Sequence, residues 1–177
     1  MDTRKMVRLS LLVSLATVLG VLESQFRIPS PFPWLKLGLA NIITLVALTM
    51  YGTSGAITVA CVRALLVAIF VGALPMLPIS FPAALISSLS MGGLRSVFGQ
   101  RLSVIGLSVS GAVAHNMTQL LVVYIMVIVL PDSTLSFTRS NILFVASLLI
   151  LTAVVAGSVT GLIARYLIRH LGFIDLE

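Results

Sequence analysis

The sequence predicts an all-α integral membrane protein, a single domain over residues 1–177 built as a six-transmembrane-helix bundle with both termini cytoplasmic. Three observations predict it. Hydrophobic residues are 59% of the chain and charged residues 9%, with a mean hydropathy of +1.17; soluble domains carry about 25% charged residues, and a chain this short cannot hide so much apolar surface from water. Apolar runs near the ~20-residue length that spans a bilayer recur six times, divided by proline, glycine and charge. Lys and Arg, which give the net charge of +6, gather at the ends of those runs, as in proteins oriented by their loop charges. That placement leaves no basic face for nucleic acid, which is excluded as a partner.

The first span runs from about Met6 to Ser24. It starts like a signal peptide but ends on Glu23 without a small-x-small cleavage site, so it is expected to stay. "QFRIPSPFPW" follows, a loop stiffened by three prolines. The second span, about Lys36 to Tyr51, is short and has Lys36 to snorkel at its end. "GTSG" is expected to turn tightly into a third span, about Ala56 to Ala73. "LPMLPISFP" reads as a second proline loop before a fourth span that ends near Val97. The fifth, about Val104 to Leu130, is long and stops at "PDSTLSFTRS"; the sixth runs from about Asn141 to Leu167.

Six spans put both ends on one side, and charge says which. Seven basic residues (Arg4, Lys5, Arg8, Arg95, Arg101, Arg165, Arg169) flank one side against three (Arg27, Lys36, Arg139) on the other. The seven are cytoplasmic, and both proline loops then face outward. Small residues recur at four-residue spacing, Ser10/Ser14 and Ala16/Gly20 in span one and Gly157/Gly161 in span six. Such spacing lets helices approach closely in lipid, either within the bundle or against a partner subunit.

Polar groups inside the spans carry the functional signal. An unsatisfied polar group costs roughly 2–7 kcal/mol in an apolar medium, and ionisable residues within spans usually face a wet cavity. Glu23, Lys36 and Asn41 fall toward the outer face, His115 and Asn116 near mid-membrane, and Arg63 between the middle and the inner third. His115 and Gln119 share a helix face, with Asn116 about 100° round. Each has a structural alternative: interhelical hydrogen bonds for His115 and Asn41, an ion pair for Glu23 with Arg63, an interface anchor for Lys36. Together they describe a small-ligand pocket, apolar with a few convergent polar groups. Arg63 and Lys36 would meet an anion such as phosphate, His115, Asn116 and Gln119 would give directional hydrogen bonds, and Phe26, Phe32 and Trp34 would cover an aromatic or isoprenoid part.

No catalytic residues, cofactor or metal ligands are expected. The only aspartates, Asp2, Asp132 and Asp175, are isolated, whereas Mg²⁺-dependent prenyl transfer needs clustered carboxylates. The single Cys61 permits no internal disulfide.

"LKLGLANIITLVAL" (Leu35 to Leu48), "SLSMGGLRS" (Ser88 to Ser96) and "SVIGLSVSGAVAHNMTQLLV" (Ser103 to Val122) resemble the Gx transporter family. Its members are often labelled heptaprenyl diphosphate synthase component I and are similar to the S components of energy-coupling factor transporters. The resemblance implies a multi-pass protein of the prokaryotic cytoplasmic membrane that binds a small organic solute from outside, with a flavin as the leading cargo. It implies membrane lipids around the chain, a membrane T subunit and ATPases as possible partners, and places Lys36, Asn41, His115, Asn116 and Gln119 in the site. One departure is that S components use Ala-x-x-x-Ala in span one, where this chain has Ser10/Ser14 and Ala16/Gly20. Two further readings stay open: a non-catalytic membrane subunit attached to prenyl diphosphate synthesis, and a structural membrane subunit whose polar residues are interhelical glue.

Overall fold

The computed structural model describes residues 3–25, 38–129 and 142–170. Among these residues every regular element is helical: α1 (Thr3–Gln25), α2 (Leu39–Phe70), α3 (Leu77–Phe98), α4 (Val104–Val129) and α5 (Ile142–His170). Short 3-10 turns occupy Leu74–Met76 and Gly99–Arg101. Five helices are long and apolar enough to cross a membrane.

The second and third predicted spans form α2, continuous but for Gly52 at φ 68°, ψ −165°. Those angles are essentially open to glycine alone. The chain doubles back there. Ala40 and Val67 would stand about 40 Å apart along a straight helix, yet both lie beside Gly20 of α1. A Cβ on Gly20 would be 2.7 Å from Val67 Cγ2 and 3.8 Å from Ala40 Cβ. The turn is tighter than the expected "GTSG" loop because Thr53, Ser54 and Gly55 are already helical.

The second proline loop is also corrected. Leu74–Met76 is a 3-10 turn and α3 begins at Leu77. Proline is tolerated in a first turn, where its missing N–H has no helical partner anyway. Pro78 uses that freedom, and Pro82 sits inside the helix.

Close approach between helices rests on glycine. A Cβ on Gly157 of α5 would meet Val109 Cα of α4 at 2.8 Å, and one on Gly161 would meet Ile105 Cα at 2.8 Å. Both spots are therefore backbone-to-backbone contacts inside the bundle. Ala16 and Gly20 are likewise buried against α2, whereas Ser10 and Ser14 are exposed beside Leu11, Leu15 and Val18. The two small-residue faces of α1 thus separate into one that packs internally and one that faces outward.

Two apolar clusters hold the helices. One draws Leu9, Leu48, Ala56, Met91, Leu107 and Ala164 from all five helices, with α2 between α1 and the rest. Lys5 Nζ stands 5.9 Å from the Tyr51 ring centroid. The other cluster, Ile79, Leu120, Val123, Val145 and Leu149, joins only α3, α4 and α5. α1 packs against α2 and not against α5 among the described residues, which leaves a gap between α1 and α5.

Candidate functional pocket

Between the helices lies a cavity of about 500 Å³, in the roughly 300–1,000 Å³ range of small-ligand pockets. It draws Glu23 from α1, Asn41 and Arg63 from α2, Ser87 from α3, and His115, Asn116 and Gln119 from α4. Six of the seven predicted site residues line this one space. The seventh, Lys36, lies outside the described residues, as do the aromatic side chains of Phe26, Phe32 and Trp34.

Doubling back at Gly52 explains the convergence on α2. Asn41 and Arg63 are equally distant in sequence from the turn, so they return to one level. The Nε of Arg63 is buried and has no hydrogen-bond partner among the described residues. Glu23 supplies an opposing charge nearby, but the two are not in direct ion-pair contact.

Glu23 has another partner. It is 4% exposed, and its Oε1 accepts a hydrogen bond from the Gly38 N–H. Gly38 has φ 81° and precedes the first residue of α2, in a left-handed conformation that suits glycine. The carboxylate thereby ties the last turn of α1 to the start of α2, where a helix presents free N–H groups and the positive end of its dipole. Gly38 and Leu39 line the cavity beside Asn41.

On α4, the Asn116 amide donates from Nδ2 to the Leu149 carbonyl of α5 at 3.0 Å. This resolves part of the cost of burying it: one donor is interhelical glue, while the residue still borders the cavity. Gln119 is buried and His115 half-buried along the same wall. Ser87 Oγ donates to the Gly111 carbonyl at 2.8 Å, fixing α3 to α4 beneath them.

The α5 wall was not anticipated. Thr152, Ala156 and Thr160 line the cavity, and Thr160 Oγ1 pairs with Ser108 Oγ at 2.9 Å. Their four-residue spacing is the signal that would have found them. It coincides with the small-residue pattern around Gly157 and Gly161, which also describes plain packing. Chemically the cavity offers one guanidinium whose Nε–H has no partner among the described residues, several amide and hydroxyl groups, and long apolar walls. That set can hold an anionic group and exclude water from the rest of a ligand.

A sequence model described as heptaprenyl diphosphate synthase component I matches residues 12–167. No curated protein and no solved structure matches the chain.

Proposed function

Since the chain belongs to the heptaprenyl diphosphate synthase component I family, we propose that it is a membrane substrate-binding protein of the transport type, for a small organic anion. One observation carries this reading: polar groups from all five helices converge on a single cavity around a guanidinium that lacks a hydrogen-bonded partner at Nε among the described residues. A buried cation without such partners is costly, and a bidentate anion would relieve that cost. The two halves of α2 count as separate crossings in this reading, giving six, with both termini in the cytoplasm and the pocket open toward the outside. The membrane is the prokaryotic cytoplasmic membrane.

The cargo expected from the resemblance is a flavin, and its phosphorylated form fits the cation best. A T subunit with ATPases would energise release, and the outward Ser10/Ser14 face of α1 is where such a subunit would dock. The test is titration of the purified protein with flavin mononucleotide and with riboflavin, on wild type and on Arg63→Gln. Charge-assisted hydrogen bonds contribute about 1.5–3 kcal/mol, so the variant should lose roughly ten- to 150-fold for the phosphorylated ligand and little for riboflavin. Equal loss for both, or none, would take the anion away from Arg63.

The family's description favours a second reading, a non-catalytic membrane subunit that serves prenyl diphosphate synthesis. It would use the same cation for diphosphate and would recruit a soluble enzyme to the membrane. Co-purification of prenyl transferase activity with the tagged protein separates it from transport.

A further inference from the structure

Three residues of the cavity wall are more than half exposed: Leu151 at 62%, Val155 at 59% and Val159 at 51%. On the wall of a pocket reached only from its end, such residues would be covered. They recur at four-residue spacing and cover about 12 Å along α5. They also occupy the middle of a 29-residue helix, flanked by the exposed Ile150, Val154 and Leu162. In a bilayer that stretch faces hydrocarbon, not water. Glu23, Gly38 and Leu39 line the same cavity, and α1 does not pack against α5 to close it among the described residues.

Polar and apolar parts of the cavity are also separated along its length. Asn116 reaches Leu149, while Ser108 meets Thr160. His115, Asn116 and Gln119 are therefore level with the part of the wall near Leu151. Val155 and Val159 continue away from them along α5.

We propose that the pocket opens sideways into the bilayer between α1 and α5, and that its ligand is a single-chain anionic amphiphile. The head meets Arg63 and the amides of α4. The chain lies along Leu151, Val155 and Val159 and can pass into the surrounding lipid. This inference rests on the pocket being a ligand site, as proposed above, and it narrows the ligand's chemistry.

The experiment uses the full chain in nanodiscs and four probes: farnesyl monophosphate, lysophosphatidate, inorganic phosphate and flavin mononucleotide. Wild type is compared with Val155→Trp, which fills the opening, and with Leu162→Trp, exposed on the same helix but outside the cavity. At least one chain-bearing phosphate should bind ten-fold or more tightly than inorganic phosphate. Val155→Trp should remove most of that gain and leave inorganic phosphate unchanged, while Leu162→Trp changes neither. A preference for the farnesyl probe would make the source an isoprenoid, and a preference for lysophosphatidate a glycerolipid. Chain-independent affinity, or a chain gain that survives Val155→Trp, overturns the lateral opening. Flavin mononucleotide binding without a chain preference would do so while leaving the solute-binding reading intact. If none of the probes binds, both fall.

Discussion

Gly157→Ala should separate α4 from α5, and the cost can be worked from the contact. The new methyl would sit 2.8 Å from Val109 Cα and 3.2 Å from both Val109 N and Ala112 Cβ. Carbon atoms rest comfortably at about 3.5–4.0 Å, and two of the three neighbours are backbone that cannot rotate aside. The helices must part by roughly 0.7 Å, and overpacking of this kind costs about 1–3 kcal/mol. The same movement stretches the Ser108–Thr160 and Asn116–Leu149 hydrogen bonds, now 2.9 Å and 3.0 Å, past useful length. Interhelical bonds in membranes average about 0.6 kcal/mol each, so the total loss is about 2–4 kcal/mol. Reversible unfolding in mixed micelles measures it, with Gly93→Ala as the paired control. No atom lies within 4 Å of a Cβ on Gly93, and a compatible Gly→Ala change stabilises by about 0.4–1 kcal/mol. Opposite signs are expected. A Gly157→Ala protein as stable as wild type, or a Gly93→Ala protein equally damaged, would refute the close-packing account.

Gly52→Ala places a side chain in a backbone region reserved for glycine, so stability measured the same way should fall by about 1–3 kcal/mol; no loss would mean the reversal tolerates another geometry. Glu23→Gln keeps an acceptor for the Gly38 N–H but removes the charge that opposes Arg63. Binding of inorganic phosphate, followed by calorimetry, should tighten by a few-fold, and weakening would show that the carboxylate is needed as a charge. For topology, Leu74→Cys and Ser103→Cys in a Cys61→Ser background should react differently with an impermeant maleimide on intact cells. The first should label from outside and the second only after lysis; the reverse pattern would invert the orientation.

The membrane class and most helix positions were legible because length, hydropathy and flanking charge state them directly. The predicted limits of spans five and six, Val104 to Leu130 and Asn141 to Leu167, nearly coincide with α4 and α5. Pro75, Pro78 and Pro82 misled, since proline breaks a helix only where its N–H is needed, and the start of α3 does not need all of them. "GTSG" announced a turn without revealing that one residue makes it. Polar residues rare in lipid announced the α1, α2 and α4 sides of the pocket. Thr152, Ala156 and Thr160 did not, because small residues on a membrane helix fit packing as well as a cavity wall. The faces of α1 could not be ranked beforehand either, since Ala16/Gly20 and Ser10/Ser14 have the same spacing.

The reversal at Gly52 bears on how the chain enters the membrane during synthesis. Residues 39–51, the first arm of α2, form a helix of about 20 Å, well short of a hydrocarbon layer about 30 Å thick. Alone it is a poor insertion signal, and the asparagine at 41 makes it poorer. The second arm, residues 53–70, is longer but carries Arg63. Neither arm is a good candidate to leave the translocation channel by itself. Paired through the glycine, they cover each other's backbone and can move into lipid as one unit. Insertion of this region should therefore wait until the ribosome has made both arms.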